Sequence, residues 1–123
     1  MAAGEYLKSA ASSLHQAAGH LRQQSKDLQA SVAKIRADRR TLIDKDAVQI
    51  KTTQIEAAAI NDKGQQSRLA KQIEKLQQEI MAAEKELQRS EKELIDAANA
   101  KIDAAIGIEN QAKQLESQAT QID

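Results

Sequence analysis

Leu or Ile returns every seventh residue at Leu7, Leu14, Leu21, Leu28, Ile35 and Leu42. Four residues after the first four of these stand Ala11, Ala18, Ser25 and Val32. Six heptads held in one phase, with large residues in one column and small ones in the next, are the pattern of helices packed along a seam. No other regular structure has a period near 3.5, so this stripe constrains the fold more than anything else in the chain. Composition agrees. There is no Pro to break a helix and no Cys, Trp or Phe, and Tyr6 is the sole aromatic residue. Ala, Leu, Ile, Gln, Lys, Arg and Glu dominate, and most of these lose little side-chain freedom in a helix. The expected class is all-α.

After Leu42 the phase moves by one residue and continues through Ile43, Ala47, Ile50 and Ala57. Two readings of residues 39–47 follow, a kink or skip inside one helix, or a real boundary capped by Thr41 and Asp44. Neither Gly nor Pro occurs between Gly19 and Gly64, which favours the first reading. The one strong stop is Asn61, Asp62, Lys63 and Gly64 at the midpoint, because Asn and Gly tolerate the left-handed backbone that ends helices. A second stripe runs through Leu69, Ile73, Leu76, Ile80, Ala83, Leu87, Ser90 and Leu94. After a four-residue stutter it resumes at Ala98, Ala105, Ile108, Ala112, Leu115, Ala119 and Ile122. The chain therefore reads as one helical-hairpin domain over 1–123. Its first helix spans about 5–60, its turn 61–64 and its second helix about 65–122.

A turn centred between Asp62 and Lys63 sets residue i beside residue 125 − i. Leu14 then meets Ala112, Leu21 meets Ala105, Leu28 meets Ala98, and Val32 meets Leu94, so large side chains face small ones. Charge follows the same register. The basic cluster Lys34, Arg36, Arg39, Arg40 and Lys45 faces a segment holding Glu84, Glu86 and Glu91. The expected fold is a long antiparallel two-helix coiled coil with arms of about 80 Å at ~1.5 Å per residue. A lone pair of helices buries one stripe on each, and Ile43, Ile50, Ile95, Ile102 and Ile106 lie partly off that stripe. Pairing into a four-helix arrangement, as a homo-oligomer or with another helical protein, is expected.

His15 and His20 lie five residues apart and point in different directions, and neither completes a Glu-x-x-His ligand pair, so they read as solvated histidines. The glutamates between 84 and 93 read as a charged helix face. Gly4, Gly19, Gly64 and Gly107 are too scattered for a phosphate loop, and no nucleophile stands beside a base. No catalytic residue, metal site or cofactor is expected. Equal numbers of basic and acidic residues, 18 of each, give no pull toward nucleic acid. Membrane association is disfavoured by a narrow, Ala-rich apolar face beside a polar face of mixed sign. No apolar run approaches a membrane span and no signal peptide is apparent, so a soluble cytoplasmic protein is the default, with leaderless export as the alternative.

The expected function is that of a non-enzymatic structural or scaffolding coiled coil acting through helix–helix contacts. The seam residues that would carry it are Leu7, Leu14, Leu21, Leu28, Val32, Ile35 and Leu42 on the first helix. On the second they are Leu69, Ile73, Leu76, Ile80, Leu87, Leu94, Ile108 and Leu115. The alternatives are a helical adaptor, a chaperone-like or secretion-partner module, or a peripheral membrane-associated protein. In size and architecture the chain is similar to the helical hairpins handled by type VII secretion systems, which implies export with a partner. It departs from them at the turn, where Asn61-Asp62-Lys63-Gly64 replaces their Trp-x-Gly motif.

Overall fold

The structure is a computed structural model that describes residues 2–122. It consists of two helices, α1 (Ala3–Ala59, 57 residues) and α2 (Lys63–Ile122, 60 residues), forming an all-α hairpin with no strand among the described residues. α1 runs unbroken through residues 39–47, so the phase slip there is absorbed within one helix. Thr41 donates its hydroxyl to the carbonyl of Ala37, one turn back, and so acts inside a helix rather than as a cap.

The turn is shorter than its sequence suggests and works differently. Only residues 60–62 separate the two helices, and Lys63 and Gly64 already belong to α2. No described residue, glycine or other, has a positive φ. The left-handed stop expected at Asn61 and Gly64 is therefore not used. Asp62 instead caps α2, its side-chain oxygen accepting the Gly64 N–H at 2.9 Å while its carbonyl accepts the Gln66 N–H at 3.0 Å. On the other side, the side-chain amide of Gln66 reaches back to the carbonyl of Ile60, an acceptor that α1 leaves open at its end.

The chain divides into two compact units, the first pairing Met1–Val32 with Glu93–Asp123, the second comprising Ala33–Lys92. In the first unit the fully buried residues of α1 are Gly4, Ala11, Ala18, Ser25 and Val32, and those of α2 are Ala98, Ala105, Ala112 and Ala119. Each set repeats every seven residues. Ser25 is the largest side chain sealed almost completely from solvent, so the centre of this seam is made of methyls and hydroxyls. Small residues at the point of contact let the two backbones approach closely, and the gain is dispersion along both chains rather than a few large buried groups. The Ser25 hydroxyl accepts the Gln29 amide at 3.2 Å, so its polar atom is not left without a partner.

The second unit is built otherwise. Thr53 is its only fully buried residue, with its hydroxyl donated to the Gln49 carbonyl at 2.9 Å. Ile43, Ile50 and Ala57 on α1, Ile60 in the turn, and Leu69, Ile73, Leu76, Ile80, Ala83 and Leu87 on α2 are half-buried. Leu42, expected in the seam, is 38% exposed, and Ile43 takes the inward position. The cause is the stripe's geometry. From Ile35 it steps by four to Arg39 and by four again to Ile43, carrying it past Leu42.

Candidate functional site

The ion pairs fix which sides of the two helices lie together. In the first unit His15 Nε2 lies 2.6 Å from Glu116 Oε1. Seven residues along α1, Arg22 donates through Nε and Nη2 to the two carboxylate oxygens of Glu109 at 2.7 and 2.9 Å. Glu109 is seven residues before Glu116, so the step repeats in opposite directions, as an antiparallel pair requires. In the expected register residue 110 stands level with His15, yet the pairing residue is Glu116. Side chains tilt toward the N-terminus of their own helix, so flanking groups on antiparallel helices lean toward each other across such an offset.

The Arg22 contact holds the Glu109 carboxyl below the ordinary glutamate range, chiefly by its two hydrogen bonds, and raises Arg22 in return. Both groups are substantially exposed and screened, so the pair aligns the helices more than it stabilises them.

His15 and Arg22 each follow a buried small residue, Ala11 or Ala18, by four positions. Glu109 and Glu116 follow Ala105 and Ala112 by four. Leu14, Leu21 and Leu28, and Ile108 and Leu115, follow the same buried columns by three instead. Three helical residues turn the chain to one side of a reference position and four turn it to the other. Since the ion-pairing columns share one face of the first unit, the leucine columns share the opposite face.

That second face has a distinct composition. Leu7, Leu14, Leu21, Leu28, Leu94, Ile108 and Leu115 are all half-buried, covered by the partner helix on one side and open on the other. Beyond them on α1 lie Ala10, Ala17, Gln24 and Ser31, and on α2 Ala97, Ala104, Gln111 and Gln118. None of these flanking residues is charged. Lys101 is the one charge in the leucine columns, and it lines a groove with Gln24, Asp27, Leu28 and Ser31. Of the residues expected to form the helix seam, Val32 alone is sealed. Ile35, Leu69, Ile73, Leu76, Ile80 and Leu87 are half-buried in the second unit. The small residues carry the contact itself, and the heptad spacing of Gly4, Ala11, Ala18 and Ser25 was the signal for it.

In the second unit charge enters the seam. Arg39 and Glu91 occupy the seven-residue columns that hold small residues in the first unit, and they pair at 3.4 Å. Arg36 binds the other oxygen of Glu91 at 2.6 Å. The expected meeting of the basic cluster with α2 is thus made at Glu91, whose side chain is only 14% exposed. One heptad further along each column stand Asp46 and Glu84, two half-buried acids. Val48 and Ile55, by contrast, are about two-thirds exposed on α1. Val48 borders a shallow groove with Lys45, Thr52 and Glu56.

Among the described residues no three His, Asp or Glu side chains converge as metal ligands would, and no helix is long and apolar enough to cross a membrane. His20 is exposed. The chain matches no family model, no curated protein and no solved structure.

Proposed function

We propose that this chain is a non-enzymatic structural protein that works by laying one face of its coiled coil against further helices. The observation that carries this reading is the leucine face of the first unit, where large apolar residues remain half-open along a neutral, Ala- and Gln-rich border. Charged flanks are what a solvated coiled-coil face normally carries. Here, Lys101 apart, the charges beside the seam lie on the opposite side, at Lys8, His15, Arg22, Glu109 and Glu116. A half-covered leucine gains further stabilisation when a third or fourth helix completes its surroundings, at about 25 cal/mol per Å² removed from water.

Chemical cross-linking in the native source, followed by mapping of the linked peptides, tests the reading. The expected result is stoichiometric links from the first unit to helical protein, whether other chains or copies of this one. Recovery of the chain as a lone 13.4 kDa species at its native concentration would overturn it.

A further inference from the structure

We propose that the hairpin opens from its turn, the second unit unzipping in one cooperative step while the first stays paired. The Arg36–Arg39–Glu91 ion cluster is the point at which the opening stops. The proposal goes beyond the helix-contact reading and does not depend on it.

The seam toward the turn holds little that resists separation. Thr53 is the one sealed residue of the second unit, and its hydroxyl is satisfied within α1 by the Gln49 carbonyl. Parting the helices leaves that bond intact. Leu69, Ile73, Leu76, Ile80 and Leu87 of α2 are only half-buried, and the α1 column opposite supplies Asp46 and Thr53. Half-open apolar groups lose less than sealed ones when their cover is removed, because part of their surface is already wet. Segments with few sealed contacts open at a lower free energy than the whole chain unfolds, and they open as contiguous cooperative blocks.

Charge marks the stop. Glu91 is 14% exposed and accepts Arg36 at 2.6 Å, while Arg39 lies 3.4 Å from its other oxygen. One heptad nearer the turn, the equivalent places of Arg39 and Glu91 hold Asp46 and Glu84. An attractive pair is replaced there by two acids. Among the described residues, none of Arg40, Asp44, Lys45, Asp46, Lys51 and Glu56 is ion-paired with α2. The cluster at Glu91 is thus the last ion-paired link between the helices on the way to the turn. Opening beyond it uncovers the α2 stripe from Leu69 to Leu87 and leaves the alanine seam of the first unit closed.

Native-state hydrogen exchange of the full chain in rising, sub-denaturing urea tests this. Amides of 43–57 and 69–87 should exchange at least about tenfold faster than those of 11–32 and 98–112, and should converge on one shared urea dependence. Exchange of both units through the same global unfolding would overturn the proposal. So would faster exchange without urea dependence, which reports fraying of single helices.

The chain has no cysteine, and Gln49 and Gln72 border one groove. A disulfide in the Gln49→Cys, Gln72→Cys double variant therefore holds the second unit shut. Its formation should remove the difference between the units, and reduction should restore it. A difference that survives the closed disulfide would overturn opening as its cause. Glu91→Gln should carry the fast-exchanging block past residue 91 toward Val32 and Ala98, whereas Glu109→Gln should leave its edge in place. An edge unmoved by Glu91→Gln would overturn the cluster as the stop.

Discussion

Positions 4, 11, 18, 25, 32, 39, 46 and 53 of α1 form one column, each seven residues from the next. Its first five members are Gly, Ala, Ala, Ser and Val, all sealed in the first unit. The next three are Arg39, Asp46 and Thr53 in the second unit, of which only Thr53 is sealed. The matching column of α2 changes in the same manner, from Ala98, Ala105, Ala112 and Ala119 to Glu84 and Glu91. The two units therefore use one periodicity with different materials. Small residues make a dry, close contact that tolerates nothing larger. Longer polar residues reach past the seam to solvent and to one another, so their contact is more open and less demanding of shape. A heptad column thus specifies direction, while residue size and charge decide how closely the helices meet.

Four measurements test that contrast. Ala105→Leu in the first unit should cost the most, about 1–3 kcal/mol from overpacking a sealed position. Ala83→Leu, a half-buried position of the second unit, should cost under about 1 kcal/mol. Urea unfolding of both variants compares them, and equal losses would erase the distinction.

In the second unit Asp46→Leu should stabilise by about 1 kcal/mol, because it replaces a poor helix former with a good one and removes an acid in the column facing Glu84's. Hydrogen exchange should show the gain at amides between residues 33 and 92. A loss there would mean that Asp46 has a favourable role.

A smaller effect is tied to acid. Arg22 lowers the Glu109 carboxyl in the folded state relative to the unfolded chain. Its contribution is therefore complete above the unfolded glutamate range and disappears as pH falls through the depressed folded value. Arg22→Gln should flatten this part of the stability profile between mildly and strongly acidic pH. Urea titrations at several pH values would read it, and an unchanged slope would remove the pair from the first unit's stability.

The smallest change is expected for Ser25→Ala. It replaces a satisfied buried hydroxyl with the residue type already used at Ala11 and Ala18, and should stabilise by roughly 0.5 kcal/mol through helix propensity. A loss above 1 kcal/mol in thermal unfolding would show that the Gln29 hydrogen bond matters beyond satisfying a buried group.

Much of the architecture was legible because the helical period writes itself into the chain. The unbroken α1 followed from the lack of Gly and Pro between residues 19 and 64, even where the stripe steps past Leu42. The contact of the basic cluster with Glu91 followed from a register counted out from the midpoint. The mechanism of the turn was less legible. Gly64 in the sequence favours a left-handed stop, whereas the cap is made by Asp62, a residue type whose short carboxylate suits the first turn of a helix. Asp62 just before the second stripe was the signal available for it.

Local propensity and the helical repeat are written into the order of residues, so the helices, the place of the turn and the membership of each column follow from that order. Which column lies at the contact is set by how the two helices pack. Leucine and alanine columns sit side by side on each helix, and periodicity alone does not rank them. The closest approach of two backbones is a property of both surfaces together. With Ala11 and Ala18 on α1 and Ala105 and Ala112 on α2 at the centre, the helices close on the small residues and leave the leucines half-covered along one face.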